Sequence, residues 1–147
     1  MGDQPTSVAR VLDRALASDP GHEALVTRSA RLSYADLDRV AHRAAFALRS
    51  LGVALGDRVG ASLPNEADVV VAFHGAMRLG AVWVGVNRAL APPEKRHLLA
   101  DCSATVLLTD DDVGDVGARV VDLATWRAAV DAAPDRLWDG PDPDPLA

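Results

Sequence analysis

The chain has 147 residues, of which 49% are apolar and 24% are charged, and its formal net charge is −6. A chain of this length and composition can bury the core of one globular domain, so disorder is excluded for most of it. Its 15 basic residues are scattered among 21 acidic ones. This argues against nucleic acid or an anionic membrane as a partner, because both favour a clustered basic surface.

The N-terminus and the cysteine content indicate a cytoplasmic protein. Residues 1–5 contain neither a basic nor an apolar stretch, so we expect no secretory signal. No apolar run approaches the roughly 18 residues that a membrane span requires. The one cysteine, Cys102, cannot form an internal disulfide, which fits a reducing compartment.

The first residues predict a helix followed by a small hairpin. Apolar residues recur at helical spacing over residues 8–16, and Ser7 is the expected N-cap of that helix. Residues 24–27 and 31–33 flank a polar bend and are predicted to pair as a hairpin.

A long helix with clear start and stop signals follows the hairpin. Its apolar stripe runs without interruption through residues 37–51. Ser33 with Asp36 three residues later resembles a capping box, with Asp in place of the usual Glu or Gln. Gly52 is expected to end the helix in a left-handed conformation.

The middle of the chain predicts a strand, a helix and a second strand. The first strand covers residues 58–63, and Asn65 is the expected N-cap of a helix over residues 69–77. Gly80 ends that helix, and residues 81–86 are predicted to form a buried strand.

The last part of the chain repeats this alternation. A helix is predicted from Pro92 to Cys102, and strands are predicted over residues 105–109 and 119–121. Asp122 is the expected N-cap of a final helix that carries Trp126.

Together these elements predict a three-layer α/β fold with a mostly parallel sheet of about five strands. The runs near Val84 and Leu107 are apolar throughout, which is typical of strands covered by helices on both faces. Residues 1–133 are expected to form this domain. Residues 134–147 are rich in proline and aspartate and are predicted to be a linker, because proline removes main-chain donors.

Several segments, in order and with matching gaps, resemble the adenylate-forming (AMP-binding) enzymes, in their acyl-CoA synthetase or acid–CoA ligase branch. They are LSYADL at 32–37, GDRV at 56–59 with LPN at 63–65, RLGAVWVGVN at 78–87, and Glu94, His97, Leu98, Asp101, Ala104 and residues 108–110. Gly85 and Arg88 stand where that family commonly has prolines, a departure that concerns the acid specificity.

The resemblance covers residues 7–147 and implies the first subdomain of the large N-terminal domain of such a ligase. It implies that the full enzyme uses ATP, Mg²⁺ and CoA to convert a carboxylic acid, fatty or aryl, to an acyl-adenylate and then a CoA thioester. The tail would lead into a strand and a Ser/Thr/Gly-rich phosphate loop that this chain lacks. The family's ribose-binding acid, adenine segment and catalytic lysine are also missing, and Lys95 matches no catalytic position.

The resemblance therefore implies no catalytic, cofactor-binding or metal-binding residue in this chain. We expect the chain to be an N-terminal portion that is inactive alone, with the remainder of the adenylation domain as its partner.

A non-catalytic binding or signalling module is the alternative function. Asp110, Asp111 and Asp112 follow a predicted strand, where open α/β sheets place their sites. They could bind Mg²⁺ or accept a phosphoryl group, as in a response-regulator receiver domain. However, no acidic pair ends the first strand, and Lys95 precedes the wrong strand, so a solvated turn is the favoured interpretation.

Other reactive residues form no convincing set. His97, Asp101 and Cys102 are close on one predicted helix, but two ligands on one face make a poor metal site. The G-x-x-G at 114–117 predicts a turn. Ser33 and Ser62 have no histidine and acid placed to activate them.

The remaining histidines and the tryptophans are interpreted as structural. His74 is predicted to be a satisfied or partly buried imidazole, and His22 and His42 are predicted to lie on the surface. Trp83, Trp126 and Trp138 are too far apart for a stacking platform and are predicted to lie in the core or an interface.

Overall fold

The structure is a computed structural model that describes residues 7–141 and residue 143. The chain begins with a 3-10 turn at Val8–Arg10. The elements that follow are α1 (Asp13–Ser18), β1 (Glu23–Val26), β2 (Arg31–Ser33), α2 (Tyr34–Ser50), β3 (Arg58–Ser62), α3 (Ala67–Leu79), β4 (Val82–Gly85), α4 (Pro92–Asp101), β5 (Val106–Thr109), β6 (Arg119–Val121) and α5 (Leu123–Ala132).

The main sheet is parallel and has four strands in the order β4-β3-β5-β6. The predicted α/β class is confirmed, but the expected fifth strand is not present among the described residues. The hairpin strands β1 and β2 pair only with each other, antiparallel, and a register irregularity lies between Glu23 and Leu25. Their pairing makes a separate small sheet packed against α2.

Helices cover both faces of the main sheet and so make three layers. Val106 and Leu108 of β5 belong to a core cluster with residues of α2, α3 and α5. Leu107 points to the other face and packs in a second cluster with Leu99 of α4. The prediction of a fully covered strand holds for β5 and is wrong for β4, which is an edge strand with Val82 48% exposed.

The predicted limits of α2 are confirmed by its hydrogen bonds. Ser33 Oγ accepts from Asp36 N at 3.1 Å, and Asp36 Oδ2 accepts from Ser33 N at 3.0 Å, which completes the capping box. Gly52 follows the helix with φ +97°, and Gly80 ends α3 with φ +81°. Both glycines adopt the left-handed conformation that is common where a helix ends and that glycine adopts at little cost.

Two predicted helix starts are wrong. Ser7 caps only the 3-10 turn, through Ala9 N at 3.0 Å, and α1 begins at Asp13. Val8 and Val11 are exposed, whereas Leu12 is buried and Leu16 packs against the core, so packing supports a helix only in the second half of the apolar stripe. Asn65 is not the N-cap of α3, since Glu66 occupies that position without a capping bond. The Glu66 carboxylate instead accepts from Ser29 Oγ at 3.0 Å.

The closest packing in the domain joins α2 to α3. Both helices present small buried residues to one another, among them Ala41, Ala44, Ala72 and Ala76. A Cβ placed on Gly75 would lie 2.6 Å from Ala44 Cβ and 2.9 Å from its carbonyl carbon. The two backbones therefore approach so closely that Gly75 leaves no room for a side chain.

This contact predicts that Gly75→Ala destabilises the protein although alanine is the better helix former. The higher propensity would add about 1 kcal/mol, but overpacking against a neighbouring backbone costs about 1–3 kcal/mol. We expect a net loss in the free energy of unfolding in urea. Gly21→Ala is the control, because its nearest contact would be an ordinary 3.6 Å to Asp19 Oδ1. A Gly75→Ala protein as stable as the parent would show that the helices can separate freely.

Candidate functional site

The three aspartates at the end of β5 each engage a different partner. Asp110 Oδ1 accepts from Leu123 N at 2.8 Å, and Asp112 Oδ1 accepts from Gly114 N at 3.2 Å. Asp111 Oδ2 accepts from Lys95 Nζ at 3.0 Å. The carboxylates therefore do not converge on one point, which favours the turn over a phosphoryl-accepting or magnesium site.

Lys95 is buried, with 3% exposure, whereas the sequence was interpreted as a polar helix start. The signal for its burial is its spacing, since the core residue Leu99 lies four residues later on the same helix face. A Cβ added to Gly60 of β3 would lie only 2.9 Å from Leu99 Cδ2, so α4 packs directly against the strand. Burial of the ammonium is offset by the Asp111 carboxylate, so this pair fixes α4 to the loop after β5.

Ser62 lies at the end of β3 and is also buried. Its strand partner is Thr109. Its hydroxyl has no hydrogen-bond partner among the described residues. Among the described residues, no histidine–acid pair contacts the Ser62 hydroxyl. The position of Ser62 therefore gives no support for nucleophilic catalysis.

A second buried cation, Arg78, connects three segments of the chain. Its Nη2 donates to Asp38 Oδ1, and His42 Nε2 lies 3.4 Å from the same oxygen. His42 Nδ1 accepts from Trp138 N at 2.9 Å. The prediction that His42 is a surface residue is wrong, because only 17% of its side chain is exposed.

These residues line a small cavity of about 120 Å³, together with Asp13 and Arg10. Arg10 Nε donates to Asp13 Oδ2 at 2.8 Å, so two arginines face two aspartates. This balance gives the cavity no net charge with which to select an ionic ligand.

The charge network perturbs Asp38. Burial disfavours its carboxylate, but the hydrogen bond from His42 and the charge of Arg78 together outweigh burial and lower its pKa. Asp38 is therefore a fixed anion, which suits a structural ion pair better than a proton-transfer group.

His74 is partly buried, as predicted. Its ring meets the Phe73 ring edge to face at 5.3 Å. Burial, with a smaller contribution from the charge of Arg78, lowers the pKa of His74 to about 4. A buried neutral imidazole on α3 is therefore the ordinary state near pH 7.

The candidate metal ligands stay apart. His97 and Asp101 are exposed, and Cys102 Sγ lies 3.6 Å from Leu99 O. Over residues 7–141 and 143, no three His, Cys, Asp or Glu side chains come close enough to hold a metal ion. In the same residues, no helix has the length and apolar character to cross a membrane.

Gly114 and Gly117 lie in the irregular loop between β5 and β6, not in a regular turn. Their φ values are +66° and +73°, and Gly117 N donates to Asp115 Oδ1 at 3.0 Å. The left-handed backbone explains why glycine stands at both positions.

The tryptophans occupy three different surroundings. Trp126 is fully buried in the main core. Trp138 meets Phe46 of α2 edge to face at 4.9 Å. Trp83 meets Phe73 at 5.7 Å with an interplanar angle of 89°.

An apolar surface remains open beside β4. We call it the α3–β4 face and define it by Val70, Phe73, Met77 and Trp83, all partly exposed. The first three lie on one stripe of α3, and the Phe73 ring contacts the Trp83 ring of β4. A cluster of exposed apolar side chains of this kind typically marks an interaction site.

The low pKa of His74 predicts a loss of stability in mild acid. The unfolded chain takes up a proton near the ordinary histidine pKa of about 6.5, whereas the folded protein does so only near 4. The contribution of neutral His74 to the free energy of unfolding is therefore complete above about pH 6.5, and it is lost as the pH falls towards 4. We expect His74→Gln to reduce the difference in unfolding free energy between pH 7 and pH 5. His22→Gln, at an exposed site, is the control, and an unchanged difference in His74→Gln would contradict the assignment.

Comparisons with known proteins agree with the fold and the motifs. Residues 12–141 match the family model described as AMP-binding enzyme. The long-chain-fatty-acid–CoA ligase FadD13 of Mycobacterium tuberculosis is 38% identical over 98 residues, which are 67% of this chain and 19% of that protein.

Solved structures share the architecture. The anthranilate CoA ligase AuaEII, in complex with anthranoyl-AMP, superposes with a TM-score of 0.84 at 25% identity, over 97% of this chain and 30% of that chain. The N-terminal domain of FACL13 from Mycobacterium tuberculosis superposes with a TM-score of 0.81 at 26% identity, over 91% of this chain and 38% of that chain.

The chain thus spans 19% of the length of FadD13. The family match extends from α1 through α5 to the residues after it, and so covers most of the chain. The resemblance of the sequence motifs is confirmed, and the fold is that of the N-terminal domain of adenylate-forming enzymes. This chain belongs to the AMP-binding enzyme family.

Proposed function

We propose that the chain is the N-terminal part of an ATP-dependent acid–CoA ligase of the cytoplasm. The observation that supports this is the family match over residues 12–141, in a chain that spans only a fifth of a ligase relative. The names of the relatives include a long-chain fatty acid and anthranilate. The substrate we propose is therefore a carboxylic acid, fatty or aryl, with CoA as the acceptor.

The residues of this chain do not fit ATP or Mg²⁺. In the full ligase ATP would supply the adenylyl group that activates the acid, and Mg²⁺ would offset phosphate charge. Here, however, the buried cations Lys95 and Arg78 are each paired with an aspartate. Asp110–Asp112 point to separate partners. We therefore assign nucleotide, metal and CoA binding to the remainder of the adenylation domain.

The role of this chain in the ligase would be to support that remainder. The α3–β4 face supplies an apolar surface for it. In this proposal Trp83 and α3 contribute to the wall of the acyl tunnel, and residues 1–133 are the subdomain that carries them. Residues 134–147 connect it to the phosphate loop, with residue 142 and residues 144–147 outside the described part of the chain.

The receiver-like alternative is not favoured. Asp111, the aspartate that contacts the lysine, is held in an ion pair with the buried Lys95. Its neighbours accept main-chain hydrogen bonds. The relative FadD13 and the structural neighbour AuaEII are both CoA ligases.

The proposal predicts that the chain alone catalyses no ATP–pyrophosphate exchange with a mixture of fatty and aryl acids. A chimera that joins residues 1–147 to the part of FadD13 beyond the matched segment should regain exchange, because it restores the missing binding residues. Intact FadD13 is the positive control. Robust exchange by the chain alone, or a folded chimera without exchange, would contradict the proposal.

The open α3–β4 face predicts binding of an apolar dye and self-association at micromolar concentration. Phe73→Lys should weaken both, since Phe73 is partly exposed and contacts Trp83, so the lysine places a charge within the apolar surface. Leu137→Lys is the control, because Leu137 is 70% exposed but lies outside the α3–β4 face. A parent chain that is cleanly monomeric and binds no dye would favour an independent module instead.

A further inference from the structure

We propose that His42 makes the attachment of residues 134–141 to α2 sensitive to pH, and that protonation of its ring releases them. We call these residues the strap. The inference goes beyond the proposed function, because it concerns contacts within this chain and needs no other part of a ligase. It rests on the two nitrogens of the His42 ring, which have different partners.

The strap lies on α2 and is packed against its side chains. Arg39 Nε donates to Asp135 Oδ1 at 2.8 Å. Further along the strap, the Trp138 ring meets the Phe46 ring edge to face at 4.9 Å. The guanidinium of Arg49 lies 4.8 Å from the centre of the Trp138 ring. The strap therefore has a defined position on the helix, and one further contact joins its main chain to α2.

That contact is a hydrogen bond to His42. Trp138 N donates to His42 Nδ1 at 2.9 Å. On the other side of the ring, His42 Nε2 lies 3.4 Å from Asp38 Oδ1. A ring nitrogen that accepts a hydrogen bond carries no proton. In this arrangement the imidazole is therefore neutral, and its proton lies on Nε2, which faces the carboxylate.

Protonation of His42 would turn the accepting nitrogen into a donor. Both ring nitrogens of an imidazolium carry a proton, so Nδ1–H would face the N–H of Trp138 and the bond between them would be lost. The Asp38 carboxylate would still accept from Nε2–H. The ring thus keeps its partner on α2 and loses its partner in the strap.

The direction of the pH effect follows from proton binding. While the strap is attached, Trp138 N occupies His42 Nδ1, so the attached form takes up a proton less readily than the released form. Lower pH therefore shifts the balance towards release. Attachment is strongest above the range in which histidine titrates, and it weakens as the pH falls through that range.

The other charged groups around the His42 ring balance one another. Asp38 of α2 and Arg78 of α3 are bonded to each other beside the ring. Arg10 and Asp13, from the N-terminal turn and α1, line the same cavity and are also paired. Two positive and two negative groups give no net charge that would keep the ring in one state. The hydrogen bond to the strap therefore couples protonation to release.

The charged groups of the strap itself keep their charges in mild acid. Asp135 accepts from Arg39, and Asp139 accepts from Arg136. These hydrogen bonds lower the pKa of both carboxyls, and arginine stays protonated throughout. Among the contacts that the described residues make with the strap, the one to His42 is therefore the one that titrates between about pH 5 and 8.

Amide hydrogen exchange measured by NMR tests the proposal. The two conditions are about pH 7.5 and about pH 5.5, on either side of the ordinary histidine pKa of about 6.5. After correction for the intrinsic effect of pH on exchange, we expect protection of the Trp138 amide to fall by about tenfold at the lower pH, because the amide loses its acceptor. The Leu48 amide, in the buried part of α2, is the internal control for global unfolding and should stay protected.

His42→Asn is the matched variant. An asparagine side-chain oxygen can take the place of Nδ1 as the acceptor, but it does not titrate. We expect this variant to make protection of the Trp138 amide independent of pH. His22→Asn, at an exposed site, is the control and should keep the pH dependence of the parent chain.

Three results would overturn the proposal. The first is protection of the Trp138 amide that does not change with pH in the parent chain. The second is an equal loss of protection in folded His42→Asn and in the parent. The third comes from the ring-nitrogen chemical shifts of His42, which report where the proton lies: a proton on Nδ1 at the higher pH would contradict the geometry on which the inference rests.

A His42→Asn chain that does not fold leaves a further measurement in the parent chain. Trypsin can cleave after Arg136 in the strap and after Arg28 in the exposed hairpin turn. The ratio of cleavage at Arg136 to cleavage at Arg28 cancels the effect of pH on the protease. We expect this ratio to rise severalfold as the pH is lowered to about 6, within the range in which histidine titrates. An unchanged ratio would show that acid does not release the strap, and the proposal would be wrong.

Discussion

The contact between α2 and α3 is the constraint on which the rest of the structure depends. The two helices touch through Ala44 and Gly75, with no space for a larger residue. Because the helices are this close, Arg78 of α3 bonds directly to Asp38 of α2. This bond is the centre of the charge network that includes His42. It also fixes α3 over the sheet, which positions the apolar face beside β4. The outer surface of α2 is left to hold residues 134–141, through Asp135 and Trp138. One steric requirement thus places the core, the buried ion pair and the interaction surface.

Features set by local signals could be predicted from the sequence. Ser33 and Asp36 mark the start of α2, and Gly52 marks its end, because caps and left-handed glycines act within a few residues. Features that depend on distant partners could not be predicted. Lys95 is buried because Asp111 lies 16 residues later, and His42 is covered by Trp138, 96 residues away. The edge position of β4 was missed for a related reason, since apolar composition does not reveal which strands are neighbours.

The same reasoning explains why the buried cations are engaged by structural partners. Lys95 and Arg78 look reactive in isolation, but each is neutralised by an aspartate at close range. The network around Asp38 keeps that carboxyl ionised. Such pairs stabilise the positions of α3 and α4 and leave little freedom for proton transfer or for a ligand. The sequence motifs indicated the family, and the match over residues 12–141 established it. We propose that the residues that carry out the chemistry belong to the remainder of the adenylation domain.

The unpaired edge of β4 has a consequence for synthesis on the ribosome. In a longer ligase this part would emerge first, and its core, closed by α2, α3 and α5, can form before the following polypeptide exists. At roughly 5–20 residues per second, this edge would stay exposed for a time on the order of seconds while later polypeptide is made. During that interval Val82 and Trp83 would offer an apolar template to neighbouring nascent chains. A chaperone that shields this edge during translation would protect the yield of the whole enzyme.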